Sequence, residues 1–146
     1  MKPSIFDDPK VVERWCGEQR AYVENYLRHE RVEHGPVAQT PAWHVAPYLS
    51  IWMVESAQKP GQVGWWVVCG DVPADYVSAE YVGSPREAMR TFAARWKRLS
   101  ASMRQGKPHP EFNIGTPGEW PKLGKLLDTR ADLLAKWADD DSAWDK

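Results

Sequence analysis

Between Tyr48 and Asp71 the chain carries two apolar runs, YLSIWMVE and VGWWVVCGD, separated by the turn-like SAQKPGQ. On strand alternation Tyr48, Ser50, Trp52 and Val54 share one face of the first run, and Leu49, Ile51 and Met53 share the other. In the second run Trp65, Val67 and Cys69 alternate with Trp66 and Val68. Neither face of either run is polar, so the ribbon needs covering on both sides. A loop of seven residues cannot carry a parallel crossover, which makes the pair antiparallel.

The flanking segments follow the helical period. Asp8-Pro9 is a helix start, with aspartate as N-cap and proline at the first helical position. Val12, Trp15, Gln19, Tyr22, Val23, Tyr26 and Leu27 then form one stripe running to roughly Glu30. Gly17 interrupts that helix and points to a close packing contact, and Gly35-Pro36 stops any continuation. Ser84-Pro85-Arg86-Glu87 is a capping box that opens a second helix, buried through Met89, Phe92, Ala93, Trp96, Leu99 and Met103 and stopped by Gly106-Lys107-Pro108. Thr116-Pro117-Gly118-Glu119 repeats the box. Pro121 would interrupt a helix continued from it, so the third regular helix is placed over Pro121 to about Asp139, buried through Leu123, Leu127, Ala131, Leu134 and Ala138.

Three prolines between Gly35 and Pro47 argue for a surface loop with Trp43 tucked inward, and Tyr76 to Val82 is expected to be a short edge strand. The predicted fold is α+β: a small antiparallel sheet of two or three strands packed against three main helices, in the order α-β-β-(β)-α-α. One globular domain over residues 1–146 is expected, with residues 1–8 and 140–146 frayed.

Composition changes this picture little. The net charge of −1 argues against nucleic acid as a partner, and two cysteines make neither a disulfide framework nor a zinc site. Met1 to Lys10 lacks the apolar run of a targeting signal and no window is apolar enough for a membrane span, so a cytoplasmic protein is expected. Nine Trp is far above ordinary usage, which raises the aromatic surface as a binding feature. The charge is also uneven: residues 84–116 hold seven Lys or Arg and two Glu, whereas residues 35–83 hold one Lys and four acids.

Two patterns that suggest chemistry fail on spacing. Trp15-Cys16-Gly17 lacks the second cysteine of a redox motif, so Cys16 and Cys69 are expected to be packed thiols. His29 and His34 lie five residues apart, roughly 140° around a helix, and share no metal ion unless the helix breaks between them. No metal or cofactor is expected. Two candidate surfaces remain. In the second helix Arg86, Arg90, Lys97 and Arg104 fall within about 40° of one another, a basic stripe able to dock an acidic partner. At the end of the second apolar run, Asp71 and Asp75 stand four apart on a turn, with His44 as a titratable neighbour. The same carboxylates also suit a structural role, capping the turn's own N–H groups.

The run from Val63 to Tyr76, VGWWVVCGDVPADY, together with Ser84 to Ala88, SPREA, Trp15-Cys16 and the Trp beside Arg95, resembles a family of small bacterial proteins known only as a domain of unknown function. The resemblance extends from about Trp15 to Trp137. It implies one cytoplasmic bacterial domain and brings no activity, cofactor or catalytic residue with it. The expectation from the residues is a non-enzymatic interaction domain of the adaptor or immunity type, meeting a protein partner through the basic stripe or an aromatic surface. The alternative is a small-molecule binder or hydrolytic enzyme built on His44, Asp71 and Asp75.

Overall fold

A computed structural model of the chain describes residues 4–105 and 120–144. The second capping box at Thr116 to Glu119 and the helix stop at Gly106-Lys107-Pro108 lie outside the described residues. The fold class is α+β as expected, with three main helices and a four-stranded antiparallel sheet. By backbone proximity the chain divides into two compact units, residues 1–85 and 86–146.

In the first unit, helix α1 spans Pro9–His29 and opens as its sequence demands: the Asp8 carboxylate accepts the Lys10 N–H at 2.9 Å, with proline at the first position. It closes earlier than Gly35-Pro36. The Val32 N–H reaches the Leu27 carbonyl at 3.0 Å and the Arg31 N–H reaches that of Arg28 at 3.1 Å, with Arg31 in the left-handed region at φ 58°. This is the paired bonding of a Schellman motif, and Val32 packs on the same cluster as Leu27 to seal it.

Strands β1 (Trp43–Val45), β2 (Leu49–Glu55), β3 (Val63–Gly70) and β4 (Asp75–Ser78) form a meander paired in chain order. The expected edge strand is β4, beginning one residue earlier and ending sooner than Tyr76 to Val82. The additional strand is β1, inside the segment expected to be a loop. Its prolines do not prevent pairing, because the Ala42 N–H donates to the Ile51 carbonyl at 2.8 Å and Trp43 to Val45 pair with Ile51 to Leu49. Upstream, residues 35–38 also run along β2, with the Gly35 N–H on Glu55 O and the Ala38 N–H on Met53 O. Arg20 of α1 clamps this strap, donating to the carbonyls of Val37 at 2.9 Å and Ala38 at 3.0 Å.

The ribbon is covered on both faces along most of its length. Trp52, Val54, Val67 and Cys69 pack with Val23 and Leu27 of α1, and Leu49, Ile51, Trp66 and Val68 are buried as well. At the hairpin end the cover stops, leaving Met53 39% and Val63 37% exposed. There the register slips, with Val54 opposite Trp65 but Glu55 opposite Val63, so Gly64 is the extra residue of a β-bulge.

The second unit holds α2 (Pro85–Arg104) and α3 (Trp120–Asp139). The expected apolar stripe of α2 is buried throughout, as are Leu127, Ala131, Leu134 and Ala138 of α3. The helices are antiparallel neighbours, since Arg86 at the start of α2 bonds the Ala138 carbonyl at 2.7 Å while Lys97 bonds Asp128 at 2.8 Å. Residues 140–144, expected to fray, carry a 3₁₀ turn over Asp141–Ala143 capped by Asp140, and the Trp144 indole N–H donates to the Trp137 carbonyl at 3.0 Å.

Two glycines separate close approach from open space. A methyl group on Gly64 would sit 2.7 Å from the Ser56 Cα, closer than real contacts allow, whereas one on Gly17 meets nothing within 4 Å. The close contact expected at Gly17 is therefore absent. Gly64→Ala is expected to destabilise the protein by about 1–3 kcal/mol through backbone displacement, and Gly17→Ala to stabilise it by up to about 1 kcal/mol. Urea unfolding midpoints that move the two variants in the same direction would contradict this assignment.

Candidate functional site

Of the three residues expected to share a site, the sheet separates His44 from Asp75. His44 lies on the edge strand β1 opposite Ser50, which in turn faces Cys69. Asp75 lies on the other edge strand, β4, opposite Val68. Residues directly opposite share a face and neighbours alternate, so His44 and Asp75 project from opposite faces, about 14 Å apart across three strand spacings. His44 is exposed beside the Trp15 ring, with centroids 6.3 Å apart. Asp75 is buried at 3% exposure and accepts the Tyr76 N–H at 2.8 Å, the local bonding of a structural carboxylate. Asp71 is exposed on the turn, its own N–H given to Tyr48 O at 2.8 Å.

The basic stripe meets acids of its own unit. Arg86 pairs with Asp141 at 2.6 Å, Arg90 lies 3.9 Å from Asp139, and Lys97 bonds both Asp128 at 2.8 Å and Asp132 at 2.6 Å. Arg104 stands 3.8 Å from Asp128. The four cations do share a side of α2, as their spacing implies, but that side borders α3. The hydrogen bond from Lys97 holds the Asp128 carboxyl below its ordinary range, and Arg86 does the same for Asp141.

Beneath α1 the Gln19 carbonyl accepts from the Ser50 hydroxyl and the Cys69 thiol, both at 3.1 Å, while the Trp52 indole donates to Ser50 Oγ at 2.8 Å. This explains why a glutamine interrupts the apolar stripe of α1. Burial pushes the Cys69 thiol up to about 11, partly offset by the Ser50 hydrogen bond, so it is not a nucleophile near neutral pH. The helix does break between His29 and His34, yet among the described residues no three His, Cys, Asp or Glu gather closely enough to hold a metal ion.

Concavities lie beside Glu24, Arg28 and His34, beside Arg90 and Lys97 of the basic stripe, and around the bulged β2–β3 hairpin, where two of different chemistry are found. On the Met53 face lies an apolar groove of about 330 Å³ lined by Pro36, Val37, Ala38, Met53 and Val63, with Gln39, Glu55 and Gln62 at its polar positions. On the Trp65 face lies a more polar cleft of about 600 Å³, lined by Trp65, Glu33, Glu80, Ser78 and Lys59 among others. Gln62 and Val63 border both. The register of β2 on β3 puts Met53 and Trp65 on opposite faces of the ribbon, and nothing local in the sequence marked this end as an open one.

A family profile described as Domain of unknown function (DUF4826) matches residues 10–144. No curated protein and no solved structure matches the chain. Among the described residues no helix is long and apolar enough to cross a membrane.

The seam between α2 and α3 has a definite pH dependence. A carboxyl held low in the folded state contributes stability that is present above its unfolded value of roughly 4 and is lost as pH falls through the lower folded value. Acidification from pH 5 to pH 2 should therefore lower the melting midpoint of the native chain more than that of Asp128→Asn. Equal acid sensitivity of the two proteins would remove the Lys97–Asp128 pair from the account.

Proposed function

The chain belongs to the DUF4826 family, and we propose that it is a non-enzymatic protein-interaction domain whose docking surface is the apolar groove beside the bulged hairpin. The observation that carries this reading is Met53. It lies in a central strand, flanked by Trp52 and Val54 at 0% exposure, yet is itself 39% exposed and lines a groove with Val63, Pro36 and Ala38. A flexible, polarizable thioether at the floor of an open groove suits an inserted aliphatic or aromatic side chain. The adjoining strap already bonds β2 through Gly35 and Ala38, so the partner contributes a side chain there and not an added strand.

The distribution of charge supports moving the docking surface away from α2. The stripe cations spend much of their charge on Asp128, Asp132, Asp139 and Asp141, which leaves the apolar and aromatic surface as the stronger alternative. The separation of His44 from Asp75 weighs against the hydrolytic alternative, because general acid–base work needs groups within hydrogen-bond reach of one substrate. Both thiols, Cys16 and Cys69, are free, in keeping with work in a reducing cytoplasm.

Met53→Asp tests the reading. With the immobilised full chain used to capture partners from its native cytoplasm, quantified by mass spectrometry, the variant should retain a specific partner at least tenfold less well than the native protein, a loss of about 1.4 kcal/mol or more. Its circular dichroism should be unchanged, because residue 53 is already exposed. Tyr81→Ala, at an 87% exposed position outside the groove, should behave as the native chain. Equal capture by Met53→Asp would overturn the groove as the docking surface.

A further inference from the structure

The polar cleft on the opposite face of the hairpin has its own chemistry. Its lining includes Trp65, whose indole N–H donates to the Glu33 carbonyl at 3.1 Å and whose ring meets Tyr76 in a T-shaped contact, with centroids 5.6 Å apart. Tyr76 is in turn backed by Tyr26 at 6.0 Å, so the ring belongs to a fixed aromatic stack. Glu33 and Glu80, both exposed, also line the cleft, with Lys59 as the one cation among the lining residues. The wider setting has the same sign, since residues 1–85 carry eleven Asp or Glu against seven Lys or Arg.

We propose that this cleft is a binding site for an organic ammonium group. An aromatic face attracts a cation through its quadrupole, and carboxylates at the rim add attraction without having to coordinate it. A small metal ion is a poor match: it needs several oxygen ligands at short range, and among the described residues no cluster of three acidic, His or Cys side chains offers them. An alkylammonium ion is larger, more weakly hydrated, and satisfied by a ring on one side and diffuse negative charge on the other. The cleft, at about 600 Å³, accommodates such a group with part of the molecule that bears it. Free amines and lysine side chains of a protein both present this chemistry. The cleft shares Gln62 and Val63 with the apolar groove, but Trp65, Glu33 and Glu80 do not line that groove, so the inference does not rest on it.

The test is an NMR titration of the ¹⁵N-labelled full chain, following the Trp65 indole N–H, assigned by its loss in Trp65→Phe. Three probes are used: choline chloride, its neutral isostere 3,3-dimethylbutanol, and a short uncharged-backbone peptide containing one lysine. Saturable shifts of the Trp65 resonance with choline or the lysyl peptide, and none with the isostere at the same concentration, are expected. Tighter binding of choline would identify a small free ammonium compound as the source, and tighter binding of the peptide a protein side chain. Glu33→Gln with Glu80→Gln should weaken the cation at least tenfold, and 0.5 M salt should weaken it in the native chain. Equal shifts with the neutral isostere, affinity indifferent to salt, or no saturable shift with either cation would overturn the proposal. Because the isostere and salt arms use the unmodified protein, misfolding of a variant cannot decide the result.

Discussion

A two-stranded ribbon that is apolar on both faces cannot stand in water, and the first unit is arranged around that constraint. Helix α1 answers it on one face by placing Val23 and Leu27 over Trp52, Val54, Val67 and Cys69. The cover must also satisfy polar atoms, because Ser50 is fully buried and the Trp52 indole N–H and Cys69 thiol lie beside it. Each such group left without a partner would cost about 1–3 kcal/mol. Gln19 supplies the partner, and since one residue of slippage turns a helix by about 100°, that single glutamine helps fix the register of α1 on the sheet. Arg20 fixes the next layer by binding the strap carbonyls of Val37 and Ala38.

The same constraint makes the place where the cover stops informative. At the bulge around Gly64 the pairing of β2 with β3 slips by one residue, and on its two sides Met53 and Val63 line an open groove while Trp65 borders a cleft that two glutamates also line. Bulges commonly re-aim side chains at the ends of sheets, and here the bulge lies at the end bordered by the apolar groove and the polar cleft. At the other end, Asp75 is buried and bonded to the adjacent backbone. The two ends of one ribbon thus differ in kind.

Much of the fold is legible in the residues because the signals are local. Asp8-Pro9, Ser84-Pro85 and the stripes of α1 and α2 mark helices through contacts within a turn or two, and the seven-residue loop alone makes β2 and β3 antiparallel. What escapes is what depends on distant partners. Trp43–Val45 is only three residues, between prolines, and becomes a strand by bonding to an edge of β2. The cations of α2 declare a common side but not what borders it, since Asp128, Asp132, Asp139 and Asp141 arrive from 24 to 55 residues along the chain. Where the grooves of the sheet lie escapes for the same reason. Alternation tells which residues share a face, but not at which end of the ribbon the covering layer runs out, and a glycine that permits a bulge reads like any other glycine in a strand.

The proposed docking surface lies at the bulged hairpin end of the sheet and not at the end carrying His44 and Asp71. The most direct measurement is an NMR screen of the labelled chain against a library of small apolar and cationic fragments, read as a map of shifted residues. The account predicts that saturable shifts gather at Met53, Val63 and Trp65 and at their neighbours in the strap and in residues 78–80. Shifts gathered at His44, Asp71 and Asp75, with the hairpin end silent, would contradict it.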